Sequence, residues 1–528
     1  MTNTNQIVDL QGNPLTSGSM AAYDGAGLGF GNQLQNWQVN SQSADAALLP
    51  DFDTGNARAA DLVRNDGYAK SGVQLHVDHV VGHQFKLVYK PNYLLLGLTR
   101  ESMAEFIKDV ECKFTNYADD NRCYIDSERK RTFTMLIREA IGTHCKTGEI
   151  TAKADWFVKR GSKYKTSIRL IDYARISNPD ADMDSSETRA GVKMNKHGAA
   201  IGYWVRKQHP NNGLFEDKYE WVYVPRELTW GRQQLIHLFE PTGEGQTRGA
   251  NNFFAALSKL KMLDKFQATT LQNAIVNAMY AAVVESDLDS EEVFKALGGD
   301  SGSTMLTNFM NTKAEWHESS NIQLDGVKLP HLLPNEKLSL QSVNAPSASL
   351  GEFEAGILRQ ISKSLGVSYE QLSGDFSKTN YSSARAAMSE SYRYFQGKRE
   401  VIAKRFASSI FELWFEEALQ VGDLVLPTGA KLNFYEGKTA WCRCNWIGAG
   451  KTQIDGLKGV KEAIEKITAG LSTYEIELGN MGLDYQEVFD QQYREEEELM
   501  KRGRTAIWMQ VAPKEANTNE NPEIHTNE

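Results

Sequence analysis

Membrane and secretion signals are missing from this 528-residue sequence. It has no run of about 18 uninterrupted apolar residues, the length that a helix needs to cross a bilayer. Its first residues, Met1-Thr2-Asn3-Thr4-Asn5, have neither the basic nor the apolar region of a signal peptide. We therefore predict a soluble protein that is made inside the cell and has no membrane partner.

Cysteine is scarce, and its spacing is unlike the framework of a secreted scaffold. The five cysteines are Cys112, Cys123, Cys145, Cys442 and Cys444. Their odd number and wide scatter favour reduced thiols. In a strand Cys442 and Cys444 would point to the same face, but no second pair and no neighbouring histidine pair completes a zinc set. We predict no metal there.

An excess of basic residues is also missing, because 58 Lys and Arg residues stand against 68 Asp and Glu residues, giving a net charge of −10. Affinity for nucleic acid rises with each phosphate that a protein neutralises. The balance therefore argues against a protein that grips DNA by general phosphate attraction. It is compatible with a protein past which DNA slides, since tight phosphate contacts would act as a brake.

Complete catalytic motifs are lacking, and the nearest is Gly448-Ala449-Gly450-Lys451-Thr452, which ends like a phosphate-binding P-loop. The full motif needs a glycine five positions before Gly450, where this chain has Asn445. No GxSxG elbow or kinase signature occurs. We predict a protein that is not an enzyme and has no cofactor, and we keep a nucleotide-binding enzyme using Lys451 and Thr452 as the alternative.

Three histidines, His76, His79 and His83, would share one face of a helix predicted at residues 72–83. A metal ion could use this spacing. Any helix face gives such a row, however, and no HExxH-type signature accompanies it. We favour a structural helix over a metal-dependent hydrolase.

Long helices dominate the second half of the chain. From residue 382 to 420 apolar residues recur at steps of three, four and seven, which predicts a proline-free helix of roughly 55 Å. A second long pattern covers 252–285, and 350–365 predicts a helix that runs back beside it. Globular helices average about 12 residues, so these lengths suggest copies packed side by side, although an ordinary long core helix remains the alternative.

The rest of the chain predicts a mixed α+β protein. Strands are expected at 85–89, 168–171, 201–205, 235–239 and 431–446, and a hairpin around Asp325-Gly326. Further helices are expected at 56–65, 103–116, 132–144 and 452–503. Residues 1–50, rich in Gly, Asn, Ser and Gln, predict an extended arm or a disordered tail.

Several segments, in the same order along the chain, together resemble the lambda-type phage portal protein family. They include Arg175-Ile176-Ser177-Asn178-Pro179, Leu365-Gly366-Val367-Ser368-Tyr369-Glu370-Gln371-Leu372, Tyr381-Ser382-Ser383-Ala384-Arg385, and residues 56–65, 80–82, 191–192, 202–203, 237–239 and 246–249. Blocks in the right order over most of the chain are more specific than any single motif above.

The resemblance implies a phage portal fold with long stem and central helices, an α/β wing, a small clip with a β-hairpin, and a helical crown. The implied regions are a wing at 51–250, stem helix at 251–285, clip at 286–345, second stem helix at 346–365, tunnel loop at 366–381, long central helix at 382–420, wing return at 421–450 and crown at 451–510. The termini are not part of the resemblance, and their composition alone predicts an arm at 1–50 and a disordered tail at 511–528.

The resemblance also implies a ring of twelve copies at one vertex of a phage head, assembled in the host cytoplasm and retained in the virion. Its channel would carry double-stranded DNA during packaging and ejection. The implied partners are the terminase large subunit, the major capsid and scaffold proteins, and a head-completion or tail connector protein.

Two sets of site residues follow from the resemblance. The set facing DNA is Asp375, Phe376, Ser377, Lys378, Thr379, Asn380, Tyr381 and Arg385, and the clip docking set is Asp325, Gly326 and Lys328. Lys378, Arg385 and Arg393 are candidates for phosphate contacts. The alternative is that these cations are solvated or pair with neighbouring carboxylates.

Overall fold

The computed structural model describes residues 39–213, 216–280, 322–324, 327–329, 347–451, 455–506 and 508. Within them, helices combine with small antiparallel sheets. The helices are α1 (Ala44–Asn65), α2 (Gly67–Val80), α3 (Tyr93–Leu96), α4 (Arg100–Ala118), α5 (Phe133–Thr147), α6 (Leu257–Tyr280), α7 (Ser347–Leu365), α8 (Tyr369–Ser373), α9 (Tyr381–Lys398), α10 (Lys404–Gln420), α11 (Lys438–Trp441), α12 (Gly456–Thr468), α13 (Tyr474–Asn480) and α14 (Tyr485–Lys501). None of the helices in these ranges combines the length and apolar character that a membrane crossing needs.

The strands form two-, three- and four-stranded sheets. They are β1 (Lys86–Tyr89), β2 (Glu149–Trp156), β3 (Thr166–Leu170), β4 (Thr188–Arg189), β5 (Val192–Met194), β6 (Ala200–Arg206), β7 (Trp221–Pro225), β8 (Leu235–Phe239), β9 (Ile322–Leu324), β10 (Val327–Leu329) and β11 (Cys444–Ile447). The orders are β3-β2-β8, β4-β5-β6-β7, β1-β11 and β9-β10. In the central strand β2, Ala152 lies opposite both Leu170 and Ile236.

The main core is built around α10, whose buried aromatic residues contact β1, α4 and β11. Phe411 and Trp414 are fully buried and pack edge-on against Phe114, with centroid distances of 5.4 and 5.2 Å. Trp446 of β11 stacks on Phe133 at 5.1 Å. These offset and edge-to-face contacts add to the energy of burial itself. A late segment of the chain therefore completes a core begun by residues before 150.

The predicted long helix is confirmed as an uninterrupted helical run from Tyr381 to Gln420, with a feature that the periodicity does not predict. Between α9 and α10, Arg399–Ala403 forms a π-helical turn. Arg399 is buried there and donates to the carbonyls of Val80 (2.7 Å), His79 (2.9 Å) and Ala449 (2.6 Å). Insertions of this kind are often found at functional or strained places in helices.

Several predicted segments differ in detail. Residues 44–50 are the first turns of α1 rather than an extended arm, because Ser43 caps the helix by accepting from the Ala46 N–H. The predicted loop 366–381 contains α8, which begins with a capping box formed by Ser368 and Gln371. Within 431–446 the only strand residues are those at the start of β11, and α11 precedes them.

Candidate nucleic-acid interface

The segment between α8 and α9, residues 374–380, is here called the central loop. Asp375 organises it by accepting from the Ser377 N–H (3.0 Å) and hydroxyl (2.6 Å). Gly374, in the left-handed region at φ 71°, ends α8, and Asn380 begins α9 by accepting from the Ser383 N–H at 2.8 Å. The loop is therefore held at both ends by helix caps, and its tip is exposed.

The residues predicted to face DNA lie together around this loop. Phe376 and Tyr381 are exposed although they are large aromatics. Lys378 Nζ is 3.9 Å from Glu352, and Arg385 Nη2 is 3.7 Å from Glu462. Such long pairs between exposed side chains contribute little. Both cations lie beside carboxylates, as the alternative interpretation supposes, but neither is tightly neutralised.

Tyr381 and Arg385 also line a cleft of about 410 Å³ between α9 and the helices α12 and α13, here called the α9–α12 cleft. Its cations are Arg385, Arg393, Lys451, Lys458 and Lys466, and its carboxylates are Asp455, Glu462 and Glu477. The sequence prediction does not single out two of these cations, Lys458 and Lys466. Lys458, Glu462 and Lys466 do follow one another at the four-residue spacing of a helix face, which was the available signal.

The histidine row does not form a metal site. His83 lies beyond the end of α2, so the prediction that it shares a helix face with the other two is wrong. His76 is buried with Nε2 2.8 Å from the Leu365 carbonyl oxygen, and burial lowers the pKa of His76 to about 4. His79 stacks on Phe395 at 4.9 Å. In the parts of the chain that are described, no group of three His, Cys, Asp or Glu side chains is arranged to hold a metal ion.

The glycine-rich segment lacks the geometry of a P-loop. β11, which precedes it, pairs antiparallel with β1 in a two-stranded sheet, whereas a P-loop follows a parallel strand. The Lys451 N–H donates to the Asn480 carbonyl at 2.7 Å, and a Cβ on Gly450 would meet the Met481 carbonyl at 2.5 Å. The loop packs against a helix end instead of opening toward a phosphate. Thr452 lies outside the described residues.

Of the three predicted clip docking residues, the structure describes one. Asp325 and Gly326 lie outside the described residues, and Lys328 belongs to β10. β9 and β10 pair antiparallel, with Val327 opposite Leu324, so the predicted hairpin is confirmed. The clip region between residues 286 and 345 is otherwise not described.

Sequence reasoning also missed a buried charge cluster. Glu149, at the start of β2, accepts from Arg248 Nε (3.0 and 3.1 Å), and His237 Nε2 of β8 is 3.1 Å away. Burial opposes ionisation of Glu149, but Arg248 and His237 outweigh it and hold the pKa of Glu149 below its ordinary value. Because the partners are distant in sequence, no local pattern could have revealed the cluster.

Comparisons of the sequence with known proteins identify its relatives. The model of the family described as phage portal protein, lambda family, matches residues 30–399. The portal protein of Escherichia phage N15 is 46% identical over 486 residues, covering 92% of this chain and 91% of the relative. Portal protein B of Escherichia phage lambda is 45% identical over 497 residues, covering 93% and 92%.

A solved chain from the neck of an empty GTA particle is 13% identical, covers 80% of this chain and 93% of its own, and superposes with a TM-score of 0.38. That score is too low to carry an argument. The family match and the two sequence relatives suffice, and they show that this chain belongs to the lambda family of phage portal proteins.

Proposed function

We propose that the chain is one subunit of a ring of twelve copies at a single vertex of a phage head, with a central channel through which double-stranded DNA enters during packaging and leaves during ejection. The subunit acts as a structural conduit and hydrolyses no nucleotide itself. Family membership and the exposed helical faces described next support this proposal.

The observation that carries the proposal is the amount of apolar surface on helices that pack on one side only. On α12, Leu457 and Ile464 are 79% and 57% exposed and share one face, and on α6, Leu271 and Ile275 are 63% and 46% exposed and also share a face. Contiguous apolar surface of this kind marks interaction sites in soluble proteins. Repeated head-to-tail contacts between such faces close into a ring when the rotation between copies closes.

The regions keep the boundaries that the resemblance implies. The wing comprises residues 51–250 and 421–450, the stem 251–285 and 346–365, the clip 286–345, the tunnel loop 366–381, the long central helix 382–420 and the crown 451–510. The terminase large subunit docks on the clip, with Asp325, Gly326 and Lys328 at the contact. A head-completion or tail connector protein replaces it later, and the wing meets the major capsid and scaffold proteins.

In this proposal the central loop lines the channel. The DNA-facing residues, in this loop and at the start of α9, are Asp375, Phe376, Ser377, Lys378, Thr379, Asn380, Tyr381 and Arg385. A subunit charge of −10 makes the bore mostly repulsive to DNA, and the weakly paired Lys378 and Arg385 supply brief phosphate contacts. Few and weak contacts favour sliding over stable binding.

Negative-stain imaging of the purified chain tests the ring. We expect annular particles with a central hole and twelvefold symmetry in end views. A chain that remains a compact monomer at every concentration and under conditions that favour assembly would overturn the proposal.

A second experiment tests the loop separately. Replacing residues 375–379 with Gly and Ser of equal length keeps Asn380, which caps α9. We expect normal rings with impaired DNA packaging or retention. Rings that package and retain DNA normally would remove the DNA-facing role while leaving the ring in place.

A further inference from the structure

The α9–α12 cleft carries more positive than negative charge, in contrast to the chain as a whole. Five cations, Arg385, Arg393, Lys451, Lys458 and Lys466, share it with three carboxylates, Asp455, Glu462 and Glu477. The net charge of the chain is −10. A local excess of cations inside a concave site focuses the field and attracts anions.

One carboxylate balances several of these cations. Glu462 Oε1 is 2.7 Å from Lys466 Nζ, and Glu462 Oε2 is 3.7 Å from Arg385 Nη2. Lys466, followed by Lys451 and Arg385, holds the pKa of Glu462 below its ordinary value. Glu462 is therefore ionised near neutral pH, but it is a single charge among three cations.

Two cations of the cleft have no ion-pair partner within 4.0 Å in the described part of the chain. Lys458 has its own partner in Asp455, at 3.3 Å. Among the residues that the structure describes, the Arg393 guanidinium and the Lys451 ammonium form no ion pair. They come from opposite walls, since Arg393 belongs to α9 and Lys451 to the segment before α12.

Aromatic side chains form part of the same cleft. Tyr381 lies at its edge with its ring centroid 5.5 Å from Lys458 Nζ, and Tyr392 also lines it. A volume of about 410 Å³ is within the range of small-molecule sites. The cleft therefore has space for a phosphate group together with part of the molecule that carries it.

We propose that the α9–α12 cleft is a phosphate-binding site in which Arg393 and Lys451 hold the anion from opposite sides. Guanidinium and ammonium groups donate charge-assisted hydrogen bonds to phosphate oxygens, and arginine can donate two in parallel. The phosphate belongs either to the DNA backbone or to a free phosphate or pyrophosphate ion, and the chemistry of recognition is the same. The site goes beyond the proposed function because it does not depend on the ring: all of its residues belong to one copy of the chain.

Calorimetric titration of the full chain at about 50 mM salt tests the site, with pyrophosphate and a short DNA duplex as separate probes. We expect saturable binding, and a loss of about tenfold or more in affinity in the double variant Arg393→Gln, Lys451→Gln, since two charge-assisted hydrogen bonds are removed. Glu462→Gln removes the competing internal anion and should tighten binding.

A matched control carries the same change in net charge away from the cleft. Lys363→Gln with Lys501→Gln replaces two exposed lysines whose ion pairs, with Glu390 at 3.3 Å and Glu497 at 4.0 Å, lie outside the cleft. We expect its affinity to remain close to that of the unaltered chain. Thermal melting of every variant checks that folding is preserved.

The outcomes separate the sources of the phosphate. Cleft-dependent binding of both probes identifies the DNA backbone, and cleft-dependent binding of pyrophosphate alone identifies a free phosphate. Absence of saturable binding, or equal losses in the cleft and control variants, would overturn the site. If micrographs show no rings but the chain still binds phosphate in the cleft, the proposed ring is wrong and the phosphate site stands.

Discussion

Arg248 and Glu149 form an ion pair in which both side chains are only 1% exposed. Besides the carboxylate, the Arg248 guanidinium donates to the carbonyl oxygens of Ile176 (3.0 Å), Ala190 (2.9 Å) and Tyr173 (3.1 Å). The segment preceding α6 is thereby tied to the start of β2 and to the loop between β3 and β5. Few side chains in the described part of the protein join so many separate segments.

Replacing Arg248 alone should destabilise the fold severely. Arg248→Gln leaves the Glu149 carboxylate buried without its main counter-charge, and breaking one side of a buried pair costs about 3–5 kcal/mol. Urea unfolding monitored by circular dichroism measures the loss. The control is Arg122→Gln, because Arg122 is mostly exposed and pairs with its near neighbour Asp120, so its removal should cost far less than the removal of Arg248. Equal losses in the two variants would contradict the role given to Arg248.

Gly148 should tolerate a methyl group far less well than Gly470. Both have positive φ, at 82° and 70°, so alanine is strained by about 1 kcal/mol at either position. At Gly148 a Cβ would also lie 2.3 Å from the Ala250 carbonyl, whereas at Gly470 no atom lies within 4 Å. Overpacking of this kind costs about 1–3 kcal/mol more.

The two glycine variants are compared by chemical denaturation under identical conditions. Gly470→Ala isolates the backbone strain, so the difference between the variants reports the clash with Ala250. If Gly148→Ala unfolds at the same denaturant concentration as Gly470→Ala, the backbone of Ala250 does not lie as close to Gly148 as described here.

Glu111 gives the fold a pH dependence that can be measured. Burial raises the pKa of Glu111 to about 7, and the nearby Asp484 and Glu487 add to the rise, although the carboxylate also accepts from the Tyr89 N–H at 2.7 Å. Between pH 4.5, its ordinary pKa, and about 7 the folded chain keeps a proton that the unfolded chain has released. The contribution of Glu111 to the free energy of unfolding is therefore fully present below pH 4.5 and is lost as the pH rises to about 7.

Glu111→Gln should remove this dependence. The amide keeps an acceptor for the Tyr89 N–H but cannot ionise, so we expect nearly equal melting temperatures near pH 5 and a higher melting temperature for the variant at pH 8. Glu105→Gln, at an exposed position of the same helix, is the control. Melting curves of Glu111→Gln that stay parallel to those of the unaltered chain from pH 5 to 8 would contradict the assignment.

Local chemistry explains which parts of the fold the sequence predicts. The break between α1 and α2 occurs at Asp66, whose side chain accepts from the Ala69 N–H at 2.6 Å. The sequence Asn65-Asp66-Gly67 predicts this break. β8 coincides with the predicted 235–239 because a short apolar run between turn residues suffices to define a strand. The capping box that begins α8 has a local signal too, Ser368 three residues before Gln371, but the polar residues around it favour the prediction of a loop.

Features that depend on distant partners could not be predicted in this way. The π turn exists where Arg399 reaches carbonyls that lie 319 residues earlier and 50 residues later in the chain. Glu149 and Arg248 are 99 residues apart. The α9–α12 cleft likewise joins Arg393 to Lys451 only after α12 has packed beside α9. One sequence contains the residues of these contacts but no local signal that they meet.

The exposed apolar face of α12 should be required for assembly and not for the fold of one subunit. Leu457 and Ile464 make little contact within the chain, whereas Ala463, on the opposite face, is buried. Leu457→Ser with Ile464→Ser should therefore change the melting temperature of the dissociated subunit only slightly, because most of the apolar surface that is removed is already exposed. If this face packs against a neighbouring copy, the substitutions weaken the contact between subunits. The loss is about 25 cal/mol for each Å² of apolar surface that the contact no longer buries.

Sedimentation velocity and negative-stain imaging measure that loss as a shift from rings to monomers at a given protein concentration. The control is Lys461→Ser with Glu465→Ser, which changes two exposed polar positions of the same helix and should assemble normally. Rings formed equally well by both double variants would exclude α12 from the contact between subunits. A fall in the stability of the isolated subunit would instead mean that the face is covered within the chain.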